Sequence, residues 1–177
     1  MAKLTHLDVR GNARMVDVSG KPSTQREAVA RGAIIMQPNT LRLIRDGEIS
    51  KGDVLGVARI AGIMAAKKTS EIIPLCHPLN ISSVSVDFAF DKKEGRITIE
   101  SRVKIAGKTG VEMEALTAVA AAALAIYDMC KSVDKEMVIS DIFLREKKGG
   151  RSGLFRRENE WEGSGRSAVS AGAAKKK

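Results

Sequence analysis

Aromatic residues are scarce in this 177-residue chain, with one Trp, one Tyr and four Phe making up 3% of it. They are Phe88, Phe90, Tyr127, Phe143, Phe155 and Trp161, so the first 87 residues offer no platform on which single-stranded nucleic acid could stack. Cysteine and histidine are equally thin. Cys76 and Cys130 lie too far apart for a CxxC pair, and His6 and His77 are the only histidines, which argues against a disulfide framework and against a zinc site of the usual spacing. No uninterrupted apolar run approaches the roughly 20 residues that span a bilayer. Residues 1–6 (MAKLTH) lack the apolar stretch of a signal peptide. The expectation is a protein of the reducing cytoplasm with no membrane partner.

What is present is 44% hydrophobic and 29% charged residues, the profile of one globular domain large enough to build a core without disulfides or a structural metal. The formal charge of +9 invites a nucleic-acid reading, but its distribution weakens that reading. Residues 1–147 carry 22 Lys and Arg against 18 Asp and Glu, whereas residues 148–177 carry 8 against 3. The body is therefore only mildly basic. The end of the chain is rich in Gly, Ser and Ala and closes on three lysines. We expect a domain over 1–155 and a disordered basic tail over 156–177.

Periodicity outlines the elements. Residues 24–36 read either as an amphipathic helix opened by Thr24 and Glu27, or as a hairpin turning at Arg31-Gly32; the interruption at Gly32 favours the hairpin. Pro38 suits the start of a short helix that Asp46-Gly47 ends. Ser50 and Asp53 resemble a capping box, after which apolar residues recur at helical spacing to about Lys68. Residues 84–90 alternate strictly, and a turn at Lys92–Gly95 leads to a second alternating strand with Ile97, Ile99, Val103 and Ile105. Residues 112–131 form a long Ala-rich helix, and 137–145 a last strand. This order predicts an α+β, ferredoxin-like (split βαβ) fold on an antiparallel sheet, with additional N-terminal elements. Two helices cover one face, so the other is expected to be bare and apolar and to drive oligomerisation.

Several constellations could carry chemistry. Gly107-Lys108-Thr109 resembles the end of a P-loop, but Arg102 stands where the pattern needs glycine and the preceding strand is antiparallel. It reads better as a tight left-handed loop. Leu75-Cys76-His77-Pro78 holds a thiol and an imidazole between prolines, where His77 is either structurally satisfied or binds a ligand. Glu112 and Glu114 open the long helix, a placement the helix dipole alone would explain. Asp128 and Lys131 share a face of its last turns, as an ordinary surface ion pair or, if covered, a proton-transfer pair. In 147–153 basic residues alternate with glycines, which suits either phosphate cradling or a plain linker.

Taken together, Lys51–Val54, Ala58–Thr69, Ile73–Leu79, Thr109–Leu116, Tyr127–Lys131 and Gly149–Gly153 resemble the cyclic pyranopterin monophosphate synthase family of molybdenum-cofactor biosynthesis, over about residues 4–155. The resemblance implies a lyase assembled as a hexamer, a trimer of dimers, with active sites at subunit interfaces. Its substrate would be 3′,8-cyclo-7,8-dihydro-GTP and its products cyclic pyranopterin monophosphate and pyrophosphate. It implies that Asp128 and Lys131 are the catalytic acid and base. It also implies that Leu75, Cys76, His77, Met113 and Glu114 bind substrate with Glu112 beside them, and that Arg26, Lys51 and Lys147 are basic contacts. No metal ligand is implied, and Mg²⁺ accompanying the triphosphate is the one cofactor left open. The alternative is a small basic nucleic-acid-binding module.

Overall fold

A computed structural model describes residue 8 and residues 10–158. Along the chain run β1 (Thr24–Ile35), α1 (Pro38–Arg45), α2 (Val54–Lys67), α3 (Thr69–Ile72), β2 (Ser83–Asp91), β3 (Arg96–Gly107), α4 (Glu112–Cys130), β4 (Val138–Lys148) and β5 (Phe155–Arg156). The sheet order is β2-β3-β1-β4-β5, and every pairing is antiparallel. With helices carrying the chain from β1 to β2 and from β3 to β4, this is the ferredoxin-like arrangement, extended by β5.

The core lies between the sheet and α2 with α4. Alternation in β3 sends Ile97, Ile99, Val103 and Ile105 inward, each buried. Ala115, Ala118, Ala122 and Ala123 bury one side of α4, and their small size lets the two helices approach closely. Gly62 of α2 marks the tightest point, where an added Cβ would lie 2.9 Å from the Ala118 carbonyl oxygen and 3.1 Å from Val86. Buried Ser101 of β3 donates to the Ala115 carbonyl at 2.7 Å, tying the first turn of α4 to the sheet. By length and composition alone this 19-residue helix is apolar enough to cross a membrane, more so than a search for uninterrupted apolar runs indicates. Half of it is buried here as a core helix.

Four expectations change. Residues 24–35 form one unbroken strand with no turn at Arg31-Gly32. Gly32 is there for packing: a Cβ would come within 2.6 Å of Val119 and 3.0 Å of Ile142. Opposite it the β1–β4 register shifts, and Asp141 adopts a left-handed φ of 56°. The start of α2 is not a capping box, because Asp53 itself is the N-cap and accepts from the Gly56 amide at 2.9 Å. The final strand runs three residues further than expected, to Lys148, and β5 places Arg156 in the sheet. Residues 159–177, most of the expected tail, lie outside the described residues.

The fourth change concerns the open face of the sheet, which is charged rather than apolar. Glu100 pairs with Arg31 at 2.7 Å and Arg145 at 3.0 Å, Glu27 with Arg102 at 2.6 Å, and Glu146 with Lys148 at 2.7 Å and Arg156 at 2.6 Å. Val29 and Ala33 on that face are buried. Exposed apolar residues include Val57, Ile60 and Met64 at helical spacing along α2 and Leu124 on α4, with Val138 and Ile142 on β4 and Phe155 on β5.

Candidate active site

The loop that joins β3 to α4 places Lys108, Thr109 and Gly110 at the amino-terminal end of α4, where unpaired backbone amides and the helix dipole favour negative charge. Two cavities open there. One, of about 290 Å³, is lined by Val16, Val18, Leu75, Cys76, His77, Leu79, Met113 and Glu114. The other, of about 160 Å³, is lined by Arg26, Glu27, Lys147, Lys148, Gly149 and Ser152. Lys21, Thr109, Gly110 and Glu112 line both, so the two are halves of one cleft. The fold thus gathers Leu75, Cys76, His77, Met113, Glu114, Glu112, Arg26 and Lys147 from four separate stretches of sequence.

In the first cavity His77 Nε2 lies 2.8 Å from the Val16 carbonyl oxygen. A carbonyl can only accept, so Nε2 carries the proton, and the ring both tethers the segment before β1 and lines the cavity. Glu114 is buried, 4% exposed. Burial holds its carboxyl above the ordinary carboxylate range, against the pull of its own backbone amide, and the neighbouring Glu112 charge adds to the rise. Burial, and then the Glu114 charge, push the Cys76 thiol up. Burial drives Cys130 up to about 11, with Asp134 adding to it. Both cysteines are therefore thiols at neutral pH and unsuited to nucleophilic attack.

The second cavity gathers five basic side chains, Lys21, Arg26, Lys108, Lys147 and Lys148, against the acidic Glu27 and Glu112. Gly149 and Gly150 take φ of 86° and 71°, and a Cβ on either would strike the Gln25 carbonyl oxygen or the Arg26 guanidinium. Glycine there lets the 147–153 loop close down on β1. Arg26 donates from Nε to the Gly107 carbonyl and from Nη2 to the Lys108 carbonyl, both at 3.0 Å. It thus braces the turn as well as lining the cavity. The Lys147 ammonium contacts the Ser152 hydroxyl. Lys108 donates to the Ser19 carbonyl at 2.7 Å. Gly107 and Gly110 are not left-handed, contrary to the loop expected there. Lys21 carries no signal in the sequence, and Ser152 is singled out there only as part of the 147–153 stretch. The one signal for Lys108 and Thr109 was the incomplete P-loop pattern, which is a phosphate motif only by its last residues.

Asp128 and Lys131 lie at the opposite end of α4. Lys131 Nζ is 2.7 Å from Asp128 Oδ1, and Lys51 Nζ is 3.2 Å from Oδ2 and 2.7 Å from the Asp128 backbone oxygen. Lys51 therefore stands apart from Arg26 and Lys147 and joins this cluster. The Lys131 and Lys51 hydrogen bonds hold Asp128 below the ordinary carboxylate range, and Asp128 raises Lys131. Asp128 and Lys131 are 60% and 52% exposed. Sixteen residues of helix at 1.5 Å each separate Asp128 from Glu112 by about 24 Å. One chain thus carries a cleft and an acid–base cluster at opposite ends of the same helix.

Among the described residues no three His, Cys, Asp or Glu side chains converge to hold a metal ion. The fold and cleft define a ferredoxin-like α+β protein with a basic-walled cleft at the start of its core helix. The model of the MoaC family matches residues 15–150, and the chain belongs to that family. Relatives named cyclic pyranopterin monophosphate synthase include the protein of Heliobacterium modesticaldum, 63% identical over 89% of this chain and 99% of that one. The proteins of Pelotomaculum thermopropionicum, 62% identical over 90% and 94%, and of Thermomicrobium roseum, 60% identical over 90% and 96%, carry the same name.

Proposed function

We propose that the protein is a cyclic pyranopterin monophosphate synthase, a lyase that converts 3′,8-cyclo-7,8-dihydro-GTP to cyclic pyranopterin monophosphate and releases pyrophosphate in molybdenum-cofactor biosynthesis. The observation that carries the reading is the divided cleft, basic and glycine-lined in one half, with a buried carboxyl and mixed polar and apolar walls in the other. The guanine-derived ring enters the half lined by Leu75, Cys76, His77 and Met113, where Glu114 and Glu112 meet its amino edge. The triphosphate lies in the other half, where Arg26, Lys147, Lys108 and Lys21 balance its charge. A ribose-derived hydroxyl attacks the α-phosphorus, its proton passes to a base, and pyrophosphate departs with the charge those cations stabilise.

Opening the guanine ring and closing the pterin requires proton transfers, which we assign to Asp128 and Lys131, with Lys51 holding the carboxylate. The roughly 24 Å along α4 means that this pair serves the cleft of a neighbouring protomer. The protein accordingly works as a homo-oligomer, a trimer of dimers, and the apolar stripe of Val57, Ile60 and Met64 supports association. Assembly would also cover Asp128 and Lys131, whose exposure in one chain leaves them firmly ionised. Mg²⁺ binds through phosphates and one or two carboxylates. Glu112, lining both cavities, is a carboxylate that fits that role beside a triphosphate. Residues 1–155 form the catalytic domain, which β5 prolongs by Arg156, the basic tail follows, and the setting is the cytoplasm.

Incubating the protein with enzymatically made cyclised dihydro-GTP should release pyrophosphate and form the pterin product in equal amounts. Release of neither would refute the reading. Salt-steep binding to single-stranded nucleic acid would favour the alternative of a basic binding module.

A further inference from the structure

Residue 110 has no side chain, and a Cβ built there would strike Oε2 of Glu112 and lie 2.6 Å from its Cδ and 2.8 Å from Oε1. Those three carboxylate atoms are its nearest neighbours. The backbone does not demand glycine, because φ at 110 is outside the left-handed region. A carboxylate crowds Gly56 as well. There Asp53 also folds back over a glycine, but as the N-cap of α2, accepting the Gly56 amide at 2.9 Å. Val111, the N-cap of α4, makes no side-chain cap. Among the described residues the Glu112 carboxylate makes no hydrogen bond or ion pair, so its folded-back position serves no cap. It serves the cleft, for Glu112 and Gly110 both line the wall the two cavities share.

We propose that Gly110 is a positioning residue: its missing side chain lets the Glu112 carboxylate lie back along the shared wall, between the ring and phosphate halves of the cleft. This inference rests on the proposed function, in which that carboxylate meets the substrate. Placed there, one carboxylate touches the amino edge of a guanine-type ring while bordering the phosphates. The carboxylate is the end of a flexible chain, so an alanine at 110 would move it at little cost to the fold. The change would displace a charge without disturbing the core.

The test compares wild type, Gly110→Ala, Glu112→Gln and the double variant. Gly110→Ala should unfold at the wild-type temperature or slightly above it, since alanine restricts the unfolded chain. Its KM for the cyclised dihydro-GTP should rise about tenfold, the loss of one charge-assisted hydrogen bond, with a smaller change in kcat. The same substitution on the Glu112→Gln background should change nothing further. A carbon-13 NMR titration of the glutamate carboxyls provides a readout independent of turnover, and the Glu114 midpoint should fall in Gly110→Ala as the Glu112 charge moves away. An unchanged Glu114 midpoint, an equal kinetic loss on the Glu112→Gln background, or unfolding several degrees early would each overturn the proposal. If wild type does not convert the substrate, the functional reading fails, and the titration still decides whether Gly110 positions Glu112.

Discussion

Subunit complementation is the most direct consequence of the roughly 24 Å between Glu112 and Asp128 on one helix. On the proposed function Lys131→Ala removes a positioned proton-transfer group, a loss that typically costs about 10²–10⁴-fold in rate. Glu112→Gln weakens a hydrogen bond to a charged acceptor, worth about 1.5–3 kcal/mol, so kcat/KM should fall to about 8% of wild type or less. Each variant alone is therefore poor. If every site combines the cleft of one protomer with Asp128 and Lys131 of another, random 1:1 assembly gives each intact half with a chance of one in two. About a quarter of the sites are then fully wild type, and activity should recover to about 25%, well above either parent. The assay co-expresses the two variants with different affinity tags, purifies on both, and follows pyrophosphate release at substrate well below KM. Recovery no greater than the mean of the parents would refute the composite site, and Asp128 with Lys131 would revert to a surface ion pair.

Other consequences are local. In an exposed helix Gly→Ala stabilises by about 1 kcal/mol, but at Gly62 the Ala118 carbonyl and Val86 leave no room, so overpacking of about 1–3 kcal/mol should dominate. A Gly62→Ala protein that melts above wild type would contradict this packing. Asp134 is buried and accepts the Gln37 amide at 2.9 Å and the Thr40 hydroxyl at 3.1 Å, capping α1 from across the fold. Asp134→Ala should cost about 2 kcal/mol in urea unfolding by orphaning both donors, and a loss below 0.5 kcal/mol (roughly a surface substitution) would show the cap is idle. Hydrogen bonds from Lys148 and Arg156 hold Glu146 down at about 2. A depressed folded value stabilises above the unfolded value, near 4.3, and that stability fades as pH falls towards the folded one. Glu146→Gln should thus melt below wild type at pH 7, with the gap closing between pH 4 and 2; a gap that widens on acidification would reverse the sign of the argument.

Much of the scaffold was legible because its signals are local. Strict alternation over 84–90 and 96–105 depends only on which face meets the core, and the structure keeps both strands with Ile97, Ile99 and Val103 inward. Pro38, Asp46-Gly47 and the Ala-rich run from 112 mark helices by backbone chemistry that any neighbour would respect. Gly32 misled because a glycine within a strand looks the same whether the chain turns or a neighbour presses close. The neighbour here is Val119, 87 positions away. The open sheet face misled for a related reason. Glu27, Arg31, Glu100, Arg102 and Arg145 are scattered in sequence, and cross-strand register alone turns them into one network.

The chain by itself determined the chemistry available: two carboxylates at a helix start, an aspartate and a lysine three apart at its end, a histidine between prolines, and lysines among glycines. These are residue types and spacings, which sequence holds completely. Tertiary structure decided which of them meet. It brought Lys21, Lys108 and Lys147 to one basic cleft and sent Lys51 to Asp128 instead. It put the Asp128–Lys131 pair out of reach of the cleft on the same chain, because a helix 19 residues long keeps its ends apart. That separation is a property of a rigid rod, present in the sequence only once the rod is known to form and to be packed against a sheet.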